Sequence, residues 1–161
     1  MITRPSLRTT RECLERAETA RTSAGVLIAA NDDWFVSPLF YSAYHLVRAA
    51  LIDDPIFDST ELLRARDARL TPECRFLTRH QGRLDAEGRS LGINDVVGIL
   101  YPAIAVEYAR LHMASRAIRY GDGLGVITAQ SVLDDYAVIR DAWDSGLLSA
   151  AETDTTTDDW N

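Results

Sequence analysis

The sequence predicts an all-α fold, an up-down bundle of four to five main helices, on the strength of three observations. Apolar side chains recur at spacings of three and four, most clearly at Phe40, Tyr44, Val47 and Leu51, which form one face of an amphipathic helix. Helix start signals recur at Thr9-Thr10-Arg11-Glu12, Ser37-Pro38, Ser59 and Thr71-Pro72-Glu73. No segment alternates apolar and polar residues between hairpin turns, as a half-buried strand does.

Taken in order, the first helix opens at the Thr9 capping box and runs to about Ala30, with residues 25–30 apolar all round. Asn31-Asp32-Asp33 interrupts it. Ser37 as N-cap and Pro38 at the first helical position start a second helix, which ends near Ile52 before Asp53-Asp54-Pro55. Ser59 caps a third, shorter helix to about Arg69, and Thr71 starts a fourth piece from Glu73 to about His80. Residues 82–92 are polar, contain three glycines and read as a loop. Asn94 or Asp95 caps a long stretch over 96–119, which Pro102 kinks or divides and Gly121-Asp122-Gly123 ends. The last helix begins near Thr128, turns Val132, Leu133, Tyr136, Ile139 and Trp143 inward, and closes at Gly146. Residues 1–150 are thus expected to form a single domain, and residues 151–161, rich in Thr and Asp, an acidic disordered tail.

Composition narrows the function. The 161 residues are 47% hydrophobic, enough for one core without metals or disulfides. Seventeen basic residues stand against 24 acidic ones, a net charge of -7, which argues against a generic nucleic-acid coat. All 17 basic residues are Arg, so every basic contact is a planar fork that grips phosphate or carboxylate in two places. The charge is uneven. The tail carries four acids and no base, whereas residues 64–89 hold seven Arg against four acids. Two cysteines, Cys13 and Cys74, make neither a disulfide framework nor a zinc site, and a reducing cytoplasm is the simplest setting. Residues 1–10 lack the apolar core of a secretory signal. The uncharged run 96–106 is shorter than the roughly 20 residues of a membrane span, so a soluble protein with no membrane association is expected. P-loop, GxGxxG, HExxH and GxSxG motifs are absent, and with three His and two Cys no metal or other cofactor is expected.

Three groups of residues could carry chemistry. Arg75 and His80 are the first, a guanidinium to stabilise phosphorane charge and an imidazole for proton transfer near neutral pH. On a helix five residues place them about 140° apart, so they meet only if the helix ends between them. Arg79 and His80 before Gly82 suit the negative end of a helix dipole equally well. The second group is His112, Arg116 and Arg119, at i, i+4 and i+7, with Tyr120 beside them to stack or donate a hydrogen bond. That stripe can hold a phosphate; alternatively Arg116 pairs with Glu107 or Asp122. The third group, Tyr41, His45 and Arg48, flanks the apolar face of the second helix and suits a helix–helix or subunit boundary.

Four passages over about residues 20–145 add a resemblance. Tyr41-Ser42-Ala43-Tyr44-His45-Leu46-Val47-Arg48-Ala49-Ala50-Leu51 places an aromatic-His pair before Ala-Leu, and Thr78-Arg79-His80-Gln81-Gly82 forms a Thr-x-His-x-Gly turn. The helix from Leu111 to Tyr120-Gly121-Asp122 and the closing stretch 128–143 follow. In this order they resemble the HEPN family (higher eukaryotes and prokaryotes nucleotide-binding). The resemblance implies a helical bundle that dimerises and engages RNA or nucleotide in a bacterial toxin–antitoxin or antiphage setting. It also implies metal-independent endoribonuclease activity through an Arg-x(4–6)-His motif, and an antitoxin or defence-complex protein as partner. Two departures point to the alternative, a non-catalytic helical interaction or scaffold subunit of a larger complex. Ser115 stands where one branch of the family has Arg, and the Arg75–His80 match precedes the long helix rather than lying on a later one.

Overall fold

The first helix forms where the capping box places it. In the computed structural model, which describes residues 9–86 and 88–150, α1 spans Thr10–Ala29. Thr9 Oγ1 accepts from the Glu12 amide at 3.2 Å, and Glu12 accepts from the Thr9 amide at 2.9 Å. Asn31, with φ of 52°, turns the chain. Asp32 then caps a short 3₁₀ turn over Asp33–Phe35 that runs directly into α2, Val36–Asp53. The expected Ser37 cap does not form, because Phe35 occupies the N-cap position. Ser37 and Pro38 lie inside the first turn, where a missing N–H is harmless.

α2 is the centre of the bundle and packs against α1, α5 and α6. Every residue from 42 to 51 is buried, so this helix has no solvent face over that stretch. The segment Asp33–Asp58 is long and apolar enough to cross a membrane by length and composition, and 78% of its most apolar window is buried inside the protein. The buried Ser42 on it is satisfied across helices: its Oγ donates to the Ala17 carbonyl at 2.8 Å and lies 2.8 Å from the Tyr136 hydroxyl.

α3, Thr60–Arg66, has Ser59 as its cap, as expected, but ends three residues early. The expected fourth helix is only a 3₁₀ turn over Pro72–Phe76; residues 77–82 lie outside any helix and bend at His80 and Gln81. Tertiary bonds explain this. The Tyr44 hydroxyl donates to the Thr78 carbonyl at 3.1 Å, and the carbonyls of Arg79 and His80 accept from the Ile93 and Asn94 amides at 2.9 and 3.0 Å. The expected loop over 82–92 contains a small antiparallel hairpin, β1 Arg83–Asp85 with β2 Gly88–Ser90, in the register Arg83↔Ser90.

Pro102 divides the long stretch, as the sequence predicts. α4 is Ile93–Leu100, a 3₁₀ turn covers Pro102–Ile104, and α5 is Ala105–Tyr120. The cap of α4 is Gly92, not Asn94 or Asp95; Asp95 accepts from the Gly92 amide at 2.9 Å. α6, Ala129–Asp144, is capped by Thr128 and closed by Gly146 at φ 71°. The Gly146 and Leu147 amides donate to the Trp143 and Ala142 carbonyls at 3.0 and 2.8 Å, a Schellman end. The described residues therefore form an all-α bundle of six helices with one short hairpin. Residues 151–161, expected as a tail, lie outside the described residues.

Candidate phosphate-binding cleft

Two elements that are remote in sequence converge beside α2. The segment 77–82 lies against the α2 aromatics, and the second half of α5 passes alongside. Between them is a cleft of about 440 Å³ lined by residues 79–83, His112, Arg116, Arg119 and Tyr120. A second groove of about 540 Å³ shares Gln81, His112, Arg116 and Tyr120 and extends past Asn94 and Met113. Arg116 and Tyr120 thus line both hollows.

The floor is aromatic. His80 packs on Tyr44 and Phe40 with ring centroids 5.0 and 5.3 Å apart, and His112 stacks on Phe40 at 5.0 Å. The two imidazoles are themselves 4.9 Å apart. Asn94 Nδ2 lies 2.9 Å from His112 Nδ1, so the Asn94 amide fixes the orientation of the imidazole. Burial, and then the Arg119 guanidinium, lowers the pKa of His80. Burial lowers His112 further, to about 4, with His80, Arg116 and Arg119 adding to the effect. Both rings are therefore neutral at pH 7.

The rim is cationic. Arg119 donates to the Tyr41 hydroxyl at 3.0 Å and to the Ser115 carbonyl at 3.3 Å, and its guanidinium lies over the rings of Tyr41 and Tyr120 at 5.4 and 5.1 Å. It is held in place by neutral groups, the Tyr41 hydroxyl and a backbone carbonyl. Arg116 pairs with neither Glu107 nor Asp122; Glu107 instead lies 3.9 Å from Arg110, which binds Asp135 at 2.5 Å. Among the described residues no ion pair joins Arg79, Arg116 or Arg119 to a carboxylate, and no acid lines the cleft. Such a cluster repels itself in the free protein and attracts an anion.

The residues singled out from the sequence divide clearly. His80, His112, Arg116, Arg119 and Tyr120 come together in this cleft. Arg75 does not join them. It donates to the Asp58 carboxylate at 3.0 Å and to the Asp54 carbonyl at 3.1 Å, and lies over the Phe57 ring at 5.5 Å. Its role here is to tie the 72–76 turn to the end of α2. Of the third group, Tyr41 orients Arg119, whereas His45 and Arg48 are buried, with Arg48 over the Tyr44 ring at 5.8 Å. Sequence reasoning missed Asn94, Arg79, Gln81 and Arg83. Asn94 was expected only as a helix cap; the local excess of Arg over 64–89 was a signal for Arg79 and Arg83, and the Thr78-Arg79-His80-Gln81-Gly82 passage one for Arg79 and Gln81. Among the described residues no three His, Cys, Asp or Glu side chains gather as metal ligands.

The cleft thus sets two neutral imidazoles on an aromatic floor beside guanidiniums that, among the described residues, no carboxylate neutralises. Comparison with protein-family models, with curated proteins and with solved structures finds no significant match to this chain.

Proposed function

We propose that the chain engages RNA at this cleft and cleaves it without a metal. The observation that carries the reading is the contact of His80 with His112 beside Arg116 and Arg119, with no carboxylate of the described residues lining the space. The guanidiniums take the non-bridging phosphate oxygens. His80, neutral at pH 7, removes the proton of the ribose 2′-OH. The 2′-oxygen bonds to phosphorus as the phosphorus–O5′ bond breaks, and the His80 imidazolium returns that proton to the departing 5′-oxygen. The products are a 2′,3′-cyclic phosphate and a 5′-hydroxyl. His112 donates its ring N–H to the oxygen on which charge accumulates, a role that suits a ring kept neutral by its surroundings. Tyr120, 78% exposed, offers a face for base stacking.

The HEPN resemblance adds the setting: a cytoplasmic bacterial toxin–antitoxin or antiphage system, with a homodimer and an antitoxin or defence-complex protein as partners. The exposed Val106, Met113 and Tyr120 on α5 support a protein contact on that helix. A second reading, a non-catalytic helical interaction or scaffold subunit of a larger complex, is favoured by the separation of Arg75 from His80. Labelled single-stranded RNA incubated with the protein in EDTA distinguishes the two. Cleavage that His80→Ala abolishes supports the ribonuclease. Binding without cleavage keeps RNA engagement and removes the nuclease step, and absence of both supports the second reading.

A further inference from the structure

The groove beside the cleft differs from it in chemistry. It encloses about 540 Å³ and shares Gln81, His112, Arg116 and Tyr120 with the cleft, so the two hollows adjoin. Its further wall is apolar: Ala109, Met113 and Ala117 lie along α5, and Met113 is 61% exposed. Among the described residues Arg116 is its one charged lining group. Such a space suits a flat, uncharged ring with a polar edge better than it suits a second phosphate. Two surfaces can receive the faces of that ring. Arg119 lies over one side of the Tyr120 ring at 5.1 Å, and with Tyr120 78% exposed the other side is open. Met113 offers a polarisable thioether, which packs well on aromatic rings. The edge of the ring meets side-chain amides. Asn94 commits its own to His112 at 2.9 Å. Gln81 is exposed and its side chain makes no hydrogen bond among the described residues, so its donor and its acceptor are both open to a ligand.

We propose that this groove is a nucleobase subsite that selects adenine, with Gln81 as the residue that reads the base. That the ligand is a nucleic-acid strand rests on the function proposed above; which base it prefers rests on the groove. A base stands one sugar away from its phosphate, which fits two hollows with a common wall. Stacking favours a purine, whose face is larger than that of a pyrimidine. The carboxamide then separates the purines. It sets a donor beside an acceptor, the complement of the adenine N6 amino group and N7. Guanine presents two acceptors, O6 and N7, on the same edge and is matched by a guanidinium instead. Arg116 and Arg119 are engaged by the phosphate, which leaves Gln81 for the base.

The test uses trinucleotides of deoxyadenosine, deoxyguanosine, deoxycytidine and thymidine, which lack the 2′-hydroxyl and cannot be cut by the proposed route. Inorganic phosphate serves as the probe of the cleft alone. Calorimetry on the full chain should give the deoxyadenosine trimer an affinity about tenfold above those of the other trimers, the worth of one bidentate base contact. Gln81→Ala, a change at an exposed side chain, should bring that ratio to about one. NMR should show the Gln81 side-chain amide shifting with the deoxyadenosine trimer and not with phosphate. Equal affinities for all the trimers, with phosphate still bound, overturn the subsite, spare the anion cleft and leave the groove to a protein contact on α5. An adenine preference that survives Gln81→Ala overturns the assignment to Gln81. Binding of neither phosphate nor any trimer removes subsite and cleft together. An adenine preference with RNA left uncut in EDTA upholds the subsite and rejects the cleavage reading instead.

Discussion

His80 and His112 hold their rings 4.9 Å apart, one on a non-helical segment and the other inside α5. The pair makes the protein sensitive to mild acid. His112 titrates at about 4 in the fold against an ordinary 6.5. Between those values the unfolded chain binds a proton that the native state refuses, so stability is full above pH 6.5 and falls as pH drops toward 4. The shift sets an upper limit of about 3 kcal/mol on the loss. Denaturant melts at pH 7 and pH 5 should show His112→Phe, whose ring can keep the stack on Phe40, losing less stability than the parent. An equal loss in both chains would assign the acid sensitivity to other groups. Phosphate bound beside these rings raises their pKa values, so calorimetry in two buffers at pH 6 should record proton uptake on binding.

Arg116 is exposed and makes no hydrogen bond or ion pair among the described residues, so its guanidinium is available to a ligand. Arg116→Ala should leave stability within about 0.5 kcal/mol of the parent. It should also lower the slope of log K against log salt for single-stranded RNA by about 0.7, the share of one phosphate contact. Arg119→Ala should reduce the slope equally and also cost about 1 kcal/mol of stability, through loss of the Tyr41 bond and the ring contacts. An unchanged slope in both variants places RNA elsewhere on the surface.

Arg75 and His80 belong to different parts of the molecule despite their spacing. Arg75→Ala breaks a hydrogen-bonded ion pair with Asp58, a bond to the Asp54 carbonyl and the contact with Phe57. A stability loss of about 1–3 kcal/mol is expected, with RNA affinity unchanged wherever the protein is folded. His80→Ala should lose cleavage while RNA still binds, with a stability cost of its own from the lost packing on Phe40 and Tyr44. Loss of cleavage in a fully folded Arg75→Ala protein would return Arg75 to the site.

What was legible in the sequence was local. Thr9 and Ser59 cap the helices they were expected to cap, and the last helix starts where it was expected, with Thr128 as its cap, because each side chain accepts from the amide three residues ahead. Pro102 divides the long helix for the equally local reason that it lacks an amide hydrogen. The stripe of His112, Arg116 and Arg119 followed from helical spacing. The failures are non-local. Nothing near Thr78, Arg79 and His80 announces that their carbonyls go to Tyr44, Ile93 and Asn94 rather than to a helix of their own. That exchange ends the turn at Phe76, leaves Arg75 behind and delivers His80 to His112. Half of the cleft was therefore visible as a periodicity, and the other half depends on a non-helical segment whose partners are contributed by α2 and α4.

Gly92 is where that arrangement is most exposed to a single change. A side-chain carbon at this position would collide with the Gln81 backbone and come within 2.6 Å of the His80 carbonyl oxygen, closer than a Cβ atom tolerates. The atoms in the way are backbone, so no rotamer relieves the clash. Gly92→Ala should push residues 80–82 away from the start of α4 and stretch the His80 carbonyl bond to the Asn94 amide. A stability loss of about 1–3 kcal/mol is expected from the overpacking. The informative reading is in the imidazoles. If His80 moves off His112, the His112 pKa rises from about 4 toward its ordinary value, because one of the groups lowering it has withdrawn. Gly88→Ala serves as the control: it is destabilising through its φ of 116° but has no neighbour within 4 Å of an added carbon, and it should leave the His112 titration where it was. Equal His112 titrations in the Gly92 variant and the parent would mean that the two rings are held together without the close packing of 80–82 on 90–92.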